Sequence, residues 1–335
     1  MVYNESFFLR YFNEIKQQLN DEVLNTNLDT IYIGGGTPTC IGSINLIKVL
    51  DLLAKYSINA KEYTIESNIE NINQETLDIL KKYGVNRLSL GVQSLNPNLL
   101  KLMNRKHLKQ DVFNALKLLN ENGFNNISID LIYGFNELTI DNFKADIKQL
   151  AKFDNVKHFS IYSLTVEEGT YFDKINYKCT DDEAIYYKIG HDSLEELGFY
   201  QYEVANYSKL NYESKHNIHY WHYDDFYGIG YGASGKINNL RYERLKEVNI
   251  TKIEHLDAIM EHLMMNLRLL KGINIKSFNK KYKVNLIDLL NEVLVKDKYQ
   301  GFIEYNDEYL YCTKKGLIIL HDILVDIFES VEKIK

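Results

Sequence analysis

DTIYIGGGTP, residues Asp29 to Pro38, is the stretch that decides how the chain is read. Ile31 and Ile33 alternate with Tyr32 as in a short buried strand, and the run then breaks into Gly34, Gly35, Gly36, Thr37 and Pro38. Glycine has no Cβ, so the three glycines can take positive φ and let a bound molecule reach backbone N–H and C=O groups. Pro38 fixes the exit. A glycine-rich turn without a ligand has the same local sequence, and only the residues downstream separate the two.

Downstream of Pro38 the chain alternates between helix and strand. Ile44, Ile47, Leu50 and Leu53 mark a helix after the glycines, and EYTIESN, from Glu62 to Asn68, reads as a second strand. Asn73 caps a helix that stops at Gly84, RLSLGVQS is the third strand, and Asn96 with Pro97 opens the next helix. Gly123 closes that helical segment before NISIDLIYG, the fourth strand. Phe143, Ile147 and Leu150 face a further helix, and HFSIYSL, from His158 to Leu164, is the fifth strand. Ahead of all of this, Ser6 to Leu19 is an amphipathic helix carrying Phe8, Phe12, Ile15 and Leu19. The polar residues at the strand ends, Gly36, Glu66, Gln93, Asp130 and Ser163, stand 30, 27, 37 and 33 positions apart, the length of a strand–helix repeat. This spacing predicts a parallel sheet curled into a full or partial barrel, whose site lies at the C-terminal strand ends.

Composition removes several function classes. At 335 residues the chain holds one large domain plus a smaller appendage, and a net charge of −7 disfavours a nucleic-acid partner. Cys40, Cys179 and Cys312 are each more than a hundred positions from the next, so neither a disulfide framework nor a C-x-x-C metal knuckle can be drawn. No transmembrane run of about 18 apolar residues occurs. The expectation is a cytoplasmic protein with no transmembrane segment, contact with a membrane surface being left open.

Beyond residue 180 the pattern changes. Thr180 with Glu183 reads as a capping box for a helix that runs to Gly198. From Tyr200 to Tyr231 lie eight tyrosines, three histidines and the one tryptophan, a density that suits a small aromatic core or a flat ligand. Within it, HNIHYW, His216 to Trp221, adds imidazoles, which bind iron. GIGYGASGK, Gly228 to Lys236, matches a P-loop up to Lys236 but has Ile237 where a magnesium-binding hydroxyl is required, so its glycines are read as close backbone passages. From about Ile250 the order helix, helix, hairpin, helix resembles a winged-helix module. Its ten basic against ten acidic residues from Gly272 to Lys335 point to packing rather than phosphate contact.

Taken in order, GGGTP, the ESN strand end, GVQS, the NRKH turn, IDLIYG, YSLTVEEGT and HNIHYW resemble the radical S-adenosylmethionine proteins of the HemW heme-chaperone type, relatives of oxygen-independent coproporphyrinogen III oxidase. The resemblance covers nearly the whole chain. It implies an α/β fold, a partial parallel (β/α) barrel of radical SAM type over residues 1–180 with its first strand missing. A Tyr/His-rich extension over 181–249 and a C-terminal winged-helix-like α+β module over 250–335 complete it. It also implies that Gly35, Gly36 and Thr37 hold the methionine part of S-adenosylmethionine and that Glu66 faces its cationic end. Arg105 would grip its carboxylate, Asp130 its ribose hydroxyls with Gln93 beside it, and His216 would be the heme-side residue. Heme or a porphyrin is the implied ligand and heme-accepting proteins the implied partners. Porphyrinogen oxidation and non-catalytic binding are the alternative functions.

The departures are equally specific. The family carries a four-iron four-sulfur cluster on C-x-x-x-C-x-x-C, and this sequence holds no such triplet, so no metal ligand and no catalytic residue is assigned. Cys40 is read as packing. Ser234 stands where the chaperones usually have histidine. Two explanations of the missing triplet are expected to compete: a start placed at an internal methionine, or a form that kept its binding surfaces and lost the radical chemistry. An unpaired strand edge at Asp29 to Ile33 favours the first.

Overall fold

Alternation along the strands dictates the first layer of structure. In RLSLGVQ, Leu88, Leu90 and Val92 are wholly buried on one face, and Arg87, Ser89, Gly91 and Gln93 point to the other. The fourth strand repeats this with Ile127, Ile129 and Leu131 against Ser128 and Asp130, and the fifth with Phe159 and Ile161 against His158 and Ser160. One face of the sheet is therefore a helix-covered core and the other a polar lining.

The computed structural model describes residues 5–23 and 27–333, which form two units: 27–201 with 205–213, and 5–23 with 202–204 and 214–333. In the first unit β1 (Thr30–Ile33), β2 (Glu62–Ser67), β3 (Arg87–Gln93), β4 (Ile127–Tyr133) and β5 (Val156–Ser163) pair in sequence order, all parallel. The five-strand, helix-alternating parallel sheet is as expected. Helices Ser43–Ser57, Gln74–Lys82, Lys109–Glu121 and Ile140–Leu150 make the connections, burying Leu46 and Leu50, Leu77 and Leu80, Leu116 and Leu119, and Ile147 and Leu150. Asn73 Oδ1 accepts from Thr76 N at 3.0 Å, and Asn96 Oδ1 from Asn98 N at 2.9 Å with Pro97 in the first helical position, so the expected caps form.

Two features differ from expectation. Thr180 and Glu183 do not form a capping box: Thr180 N donates to Gly134 O at 3.0 Å, its Oγ1 accepts from Asp182 N at 3.2 Å, and the helix Glu183–Glu196 starts after an uncapped Asp182. Tying Thr180 to the end of β4 leaves Glu183 as the first helical residue rather than the third. The tyrosine-rich segment also supplies strands β6 (Tyr200–Gln201) and β7 (Asn206–Ser208), which extend the same sheet in the order β5, β7, β6 with antiparallel pairing.

The second unit contains the helix Glu5–Glu22, whose Gln18 Oε1 accepts from Gly230 N at 2.8 Å and whose Glu22 pairs with Arg244. β8 (Ser234–Ile237), β9 (Leu240–Arg244) and β10 (Val248–Lys252) form an antiparallel sheet. In the GIGYGASGK segment, a Cβ on Gly228 would stand 1.9 Å from Ser234 O, so this glycine is a close backbone passage, as its sequence implies. β11 (Ile273–Asn274), β12 (Ile303–Tyr305) and β13 (Tyr309–Cys312) make a third sheet. It packs with helices His255–Asn266, Ile275–Tyr282 and Leu320–Glu332 around Leu263, Phe278, Leu310, Ile323 and Ile327.

Candidate functional site

Parallel pairing brings the strand ends level. Register sets Glu66 beside Ser89, Ser89 beside Ser128 and Ser128 beside His158, and one step further on sets Gly91 beside Asp130 and Asp130 beside Ser160. Residues spread over about a hundred positions thus become neighbours on one polar face.

Glu66 is the first centre. Its Oε1 accepts from Tyr32 OH at 2.8 Å and its Oε2 from Gly35 N at 3.0 Å, so one carboxylate ties the glycine loop to β1 and β2. Burial, and then Glu66 itself, push the Tyr32 phenol far above its usual range, which keeps it a donor. Gly34 permits this closure, because a Cβ there would lie 2.7 Å from the Tyr32 ring and 2.9 Å from Glu66 Oε1. Gly35 has φ +106°, and neither it nor Gly36 has an atom of the described residues within 4 Å of its Cβ position, leaving an open cradle. Thr37 follows with φ 59°, its N–H donating to Gly35 O at 3.0 Å.

Asp130 is the second centre. Ser89 Oγ lies 3.2 Å from each of its oxygens, Ser160 donates to it, and the buried Arg87 adds positive charge beneath. Burial outweighs these and pushes the carboxyl up to about 6. A carboxyl raised in the folded state favours folding below its unfolded value of 3.8, and that contribution is lost as pH rises through about 6. Asp130→Asn is therefore expected to stabilise the chain by ~1–2 kcal/mol at neutral pH, after discounting for partial exposure, and by nothing near pH 3.5. Urea midpoints of parent and variant across this range check the sign. Deeper in the lining, Ser128 Oγ lies 2.8 Å from His158 Nδ1, and burial with the Arg87 charge keeps this histidine well below 6.5, hence neutral.

Arg105, in the NRKH turn, donates from Nη1 to Asn68 Oδ1 at 3.0 Å, and no carboxylate among the described residues pairs with it. Its remaining donors suit a carboxylate. Gln93 closes β3 with φ 66°. Gly35, Gly36, Thr37, Glu66, Gln93, Arg105 and Asp130 all belong to the first unit. The glycines and Thr37 follow β1, Glu66 and Gln93 lie at the C-terminal ends of β2 and β3, and Arg105 lies in the turn after helix Pro97–Leu102, whereas Asp130, expected at a strand end, is the fourth of the seven residues of β4. His216 belongs to the second unit, in helix Lys215–Trp221, where its Nε2 lies 2.8 Å from Tyr220 OH and the two rings meet edge to face at 4.9 Å. Ser163, the strand-end residue of β5, has its hydroxyl buried without a partner among the described residues.

Sequence reasoning missed Tyr32, Asn68, Arg87, Ser89, His158 and Ser160. For four of them the signal was there: Arg87, Ser89, His158 and Ser160 alternate with large apolar residues in RLSLGVQ and VKHFSIYS, as Ser128 and Asp130 do in ISIDLIY.

Comparison with known proteins returns one consistent kinship. Residues 4–150 match the Radical SAM superfamily and residues 253–319 the HemN C-terminal domain. The heme chaperone HemW of Bacillus subtilis is 32% identical over 93% of this chain and 89% of its own length. That of Lactococcus lactis is 33% identical over 86% and 82%, and that of Escherichia coli 28% over 94% and 88%. Among solved structures, coproporphyrinogen III oxidase (HemN) from Escherichia coli, a radical SAM enzyme, superposes with a TM-score of 0.81 at 18% identity, over 98% of this chain and 85% of that one.

Proposed function

Because the chain belongs to the HemW family of heme chaperones, within the radical S-adenosylmethionine superfamily, we propose that it binds S-adenosylmethionine at the strand ends of its first unit, binds heme through its second, and delivers heme to an acceptor protein. The observation that carries the first part is the Glu66 carboxylate closed on Gly35 N–H beside an open glycine cradle. S-adenosylmethionine brings a sulfonium cation between a zwitterionic amino acid and an adenosine. Glu66 retains acceptor capacity for the ammonium group, and the Arg105 guanidinium holds the carboxylate. Gly35, Gly36 and Thr37 line the methionine part, and Asp130 accepts from the ribose hydroxyls with Gln93 alongside.

The cysteines do not fit the iron–sulfur cluster of the superfamily. Cys40 is exposed after β1, Cys179 is partly covered with its Sγ 3.4 Å from Leu164 O, and Cys312 is buried in β13 of the other unit, its thiol pushed up to about 12 by burial. No group of three His, Cys, Asp or Glu among the described residues could hold a metal ion. The proposal for these residues is accordingly binding and carriage of heme. No helix among the described residues is long and apolar enough to cross a membrane.

For heme, the reading rests on His216. Its Nε2 is held by Tyr220, so iron ligation through this atom displaces the tyrosine hydroxyl. His216→Ala is expected to weaken heme binding about tenfold or more and to move the Soret band, while Tyr220→Phe, which removes the hydroxyl from Nε2, binds at least as well as the parent. Heme titrations followed by absorbance decide. An unchanged band and affinity in His216→Ala, with thermal stability alone reduced, would make this histidine structural and sink the assignment.

A further inference from the structure

β3 ends in a strained turn. Ser94 N–H donates to the Val92 carbonyl, two residues back, at 2.8 Å, so Gln93 is the centre of a γ-turn with φ 66°. A γ-turn with positive φ is rare, and for a long side chain such backbone persists only where its surroundings over-determine it. The pairing of β3 with β4 shifts register between Gly91 and Gln93, a bulge of the kind that re-aims a side chain. Gly91 leaves the space the turn needs: a Cβ there would meet Gln93 Nε2 at 3.0 Å and Asn68 Oδ1 at 3.5 Å.

Two buried groups hold the turn from opposite sides. On the far side, Asp146 accepts from Ser94 Oγ at 2.7 Å and from Leu95 N at 2.9 Å. On the near side, the Val92 carbonyl has a second partner, His107 Nε2, at 3.2 Å. A carbonyl only accepts, so Nε2 carries the proton. His107 is 2% exposed, with Glu70 Oε1 3.6 Å from its other nitrogen. The NRKH turn thus sends Arg105 to the candidate site and His107 underneath it.

We propose that His107 is a positioning residue: by fixing the Val92 carbonyl it locks the strained turn that presents the Gln93 amide to the ligand, and the fold gives up stability there for a preorganised contact. The proposal rests on the reading of the strand ends as an S-adenosylmethionine site. The experiment measures S-adenosylmethionine affinity by titration calorimetry and the urea midpoint, on the full chain, for the parent, Gln93→Gly, His107→Leu, His107→Gln and the double variant that combines Gln93→Gly with His107→Leu. Glycine accepts positive φ at no steric cost, so Gln93→Gly should keep or raise the midpoint while binding about tenfold more weakly. His107→Leu should also bind about tenfold more weakly, with His107→Gln, whose amide can still reach Val92 O, recovering most of the loss. Added to Gln93→Gly, His107→Leu should cost less than about twofold, because the turn it serves is gone.

An equal penalty from His107→Leu in both backgrounds, or an effect on the midpoint alone, overturns the proposal. If His107→Leu does not fold, Gln93→Gly decides: a lowered midpoint together with weaker binding would mean that no strain is stored, and the proposal fails. A parent chain that binds no S-adenosylmethionine refutes the site reading itself, and that result is seen before any variant is made.

Discussion

Glu66→Ala is expected to weaken S-adenosylmethionine binding about a hundredfold, the largest loss from any single side chain of the site. Three effects add at this position. The counter-charge for the ligand's ammonium disappears, the Gly35 N–H loses the acceptor 3.0 Å away that fixes the glycine loop, and the Tyr32 hydroxyl, partly buried, loses its acceptor at 2.8 Å. Glu66→Gln separates them, since its amide oxygen can keep one of the two hydrogen bonds but carries no charge. Calorimetric titration should therefore rank parent, Gln and Ala in falling affinity. Equal affinity for parent and Ala would remove Glu66 from the site. Removing the partly buried carboxylate should leave the fold standing, so a urea midpoint near that of the parent is the accompanying control.

Gly272→Ala is expected to destabilise the second unit by roughly 3 kcal/mol or more. Gly272 has φ +70°, and a Cβ there would lie 2.1 Å from Leu310 O and 2.7 Å from Tyr311 Cα, both of them backbone atoms of β13 that cannot step aside without breaking the sheet. Its own N–H donates to Leu269 O at 2.9 Å, so the turn into β11 cannot easily move instead. Hydrogen exchange localises the effect: amides of β11, β12 and β13 and of the helix Leu320–Glu332 should lose protection first, and those of β2 to β4 should keep theirs. Protection unchanged in β13 would show that the sheet yields more readily than its contacts imply. Gly35→Ala is a useful contrast, because a Cβ there meets nothing within 4 Å among the described residues and its φ of +106° is what opposes the change.

Much of the architecture was legible along the chain because its causes are local. The cap at Asn73, the Asn96–Pro97 start and the glycine stops at Gly84 and Gly123 each act within a turn or two of helix, and the strand–helix repeat arises from them. Where a local rule competed with a distant bond it lost: Thr180 is tied to Gly134, and the capping box with Glu183 does not form. The positions of the glycine loop, Glu66 and Gln93 were readable for the same reason as the repeat, since a polar residue or a glycine run ending an apolar strand stands out in the sequence itself, and Asp130 stands out as a carboxylate within one; Arg105 entered only through the resemblance of the NRKH turn.

By itself, then, the sequence determined the order of the elements through β5, the polar positions along the strands and the family. The tertiary structure alone decided which of those groups meet. Tyr32 finds Glu66, Ser89 finds Asp130 and Ser128 finds His158 only through the register of parallel strands, and no local pattern encodes register between segments thirty or forty residues apart. The same holds for Gln18 with Gly230 in the second unit, and for His107, whose imidazole looks in sequence like one more polar residue of a turn. Its contact exists only because the turn between helices Pro97–Leu102 and Lys109–Glu121 brings the imidazole to the carbonyl of Val92, to which it adds a second donor beside the Ser94 N–H.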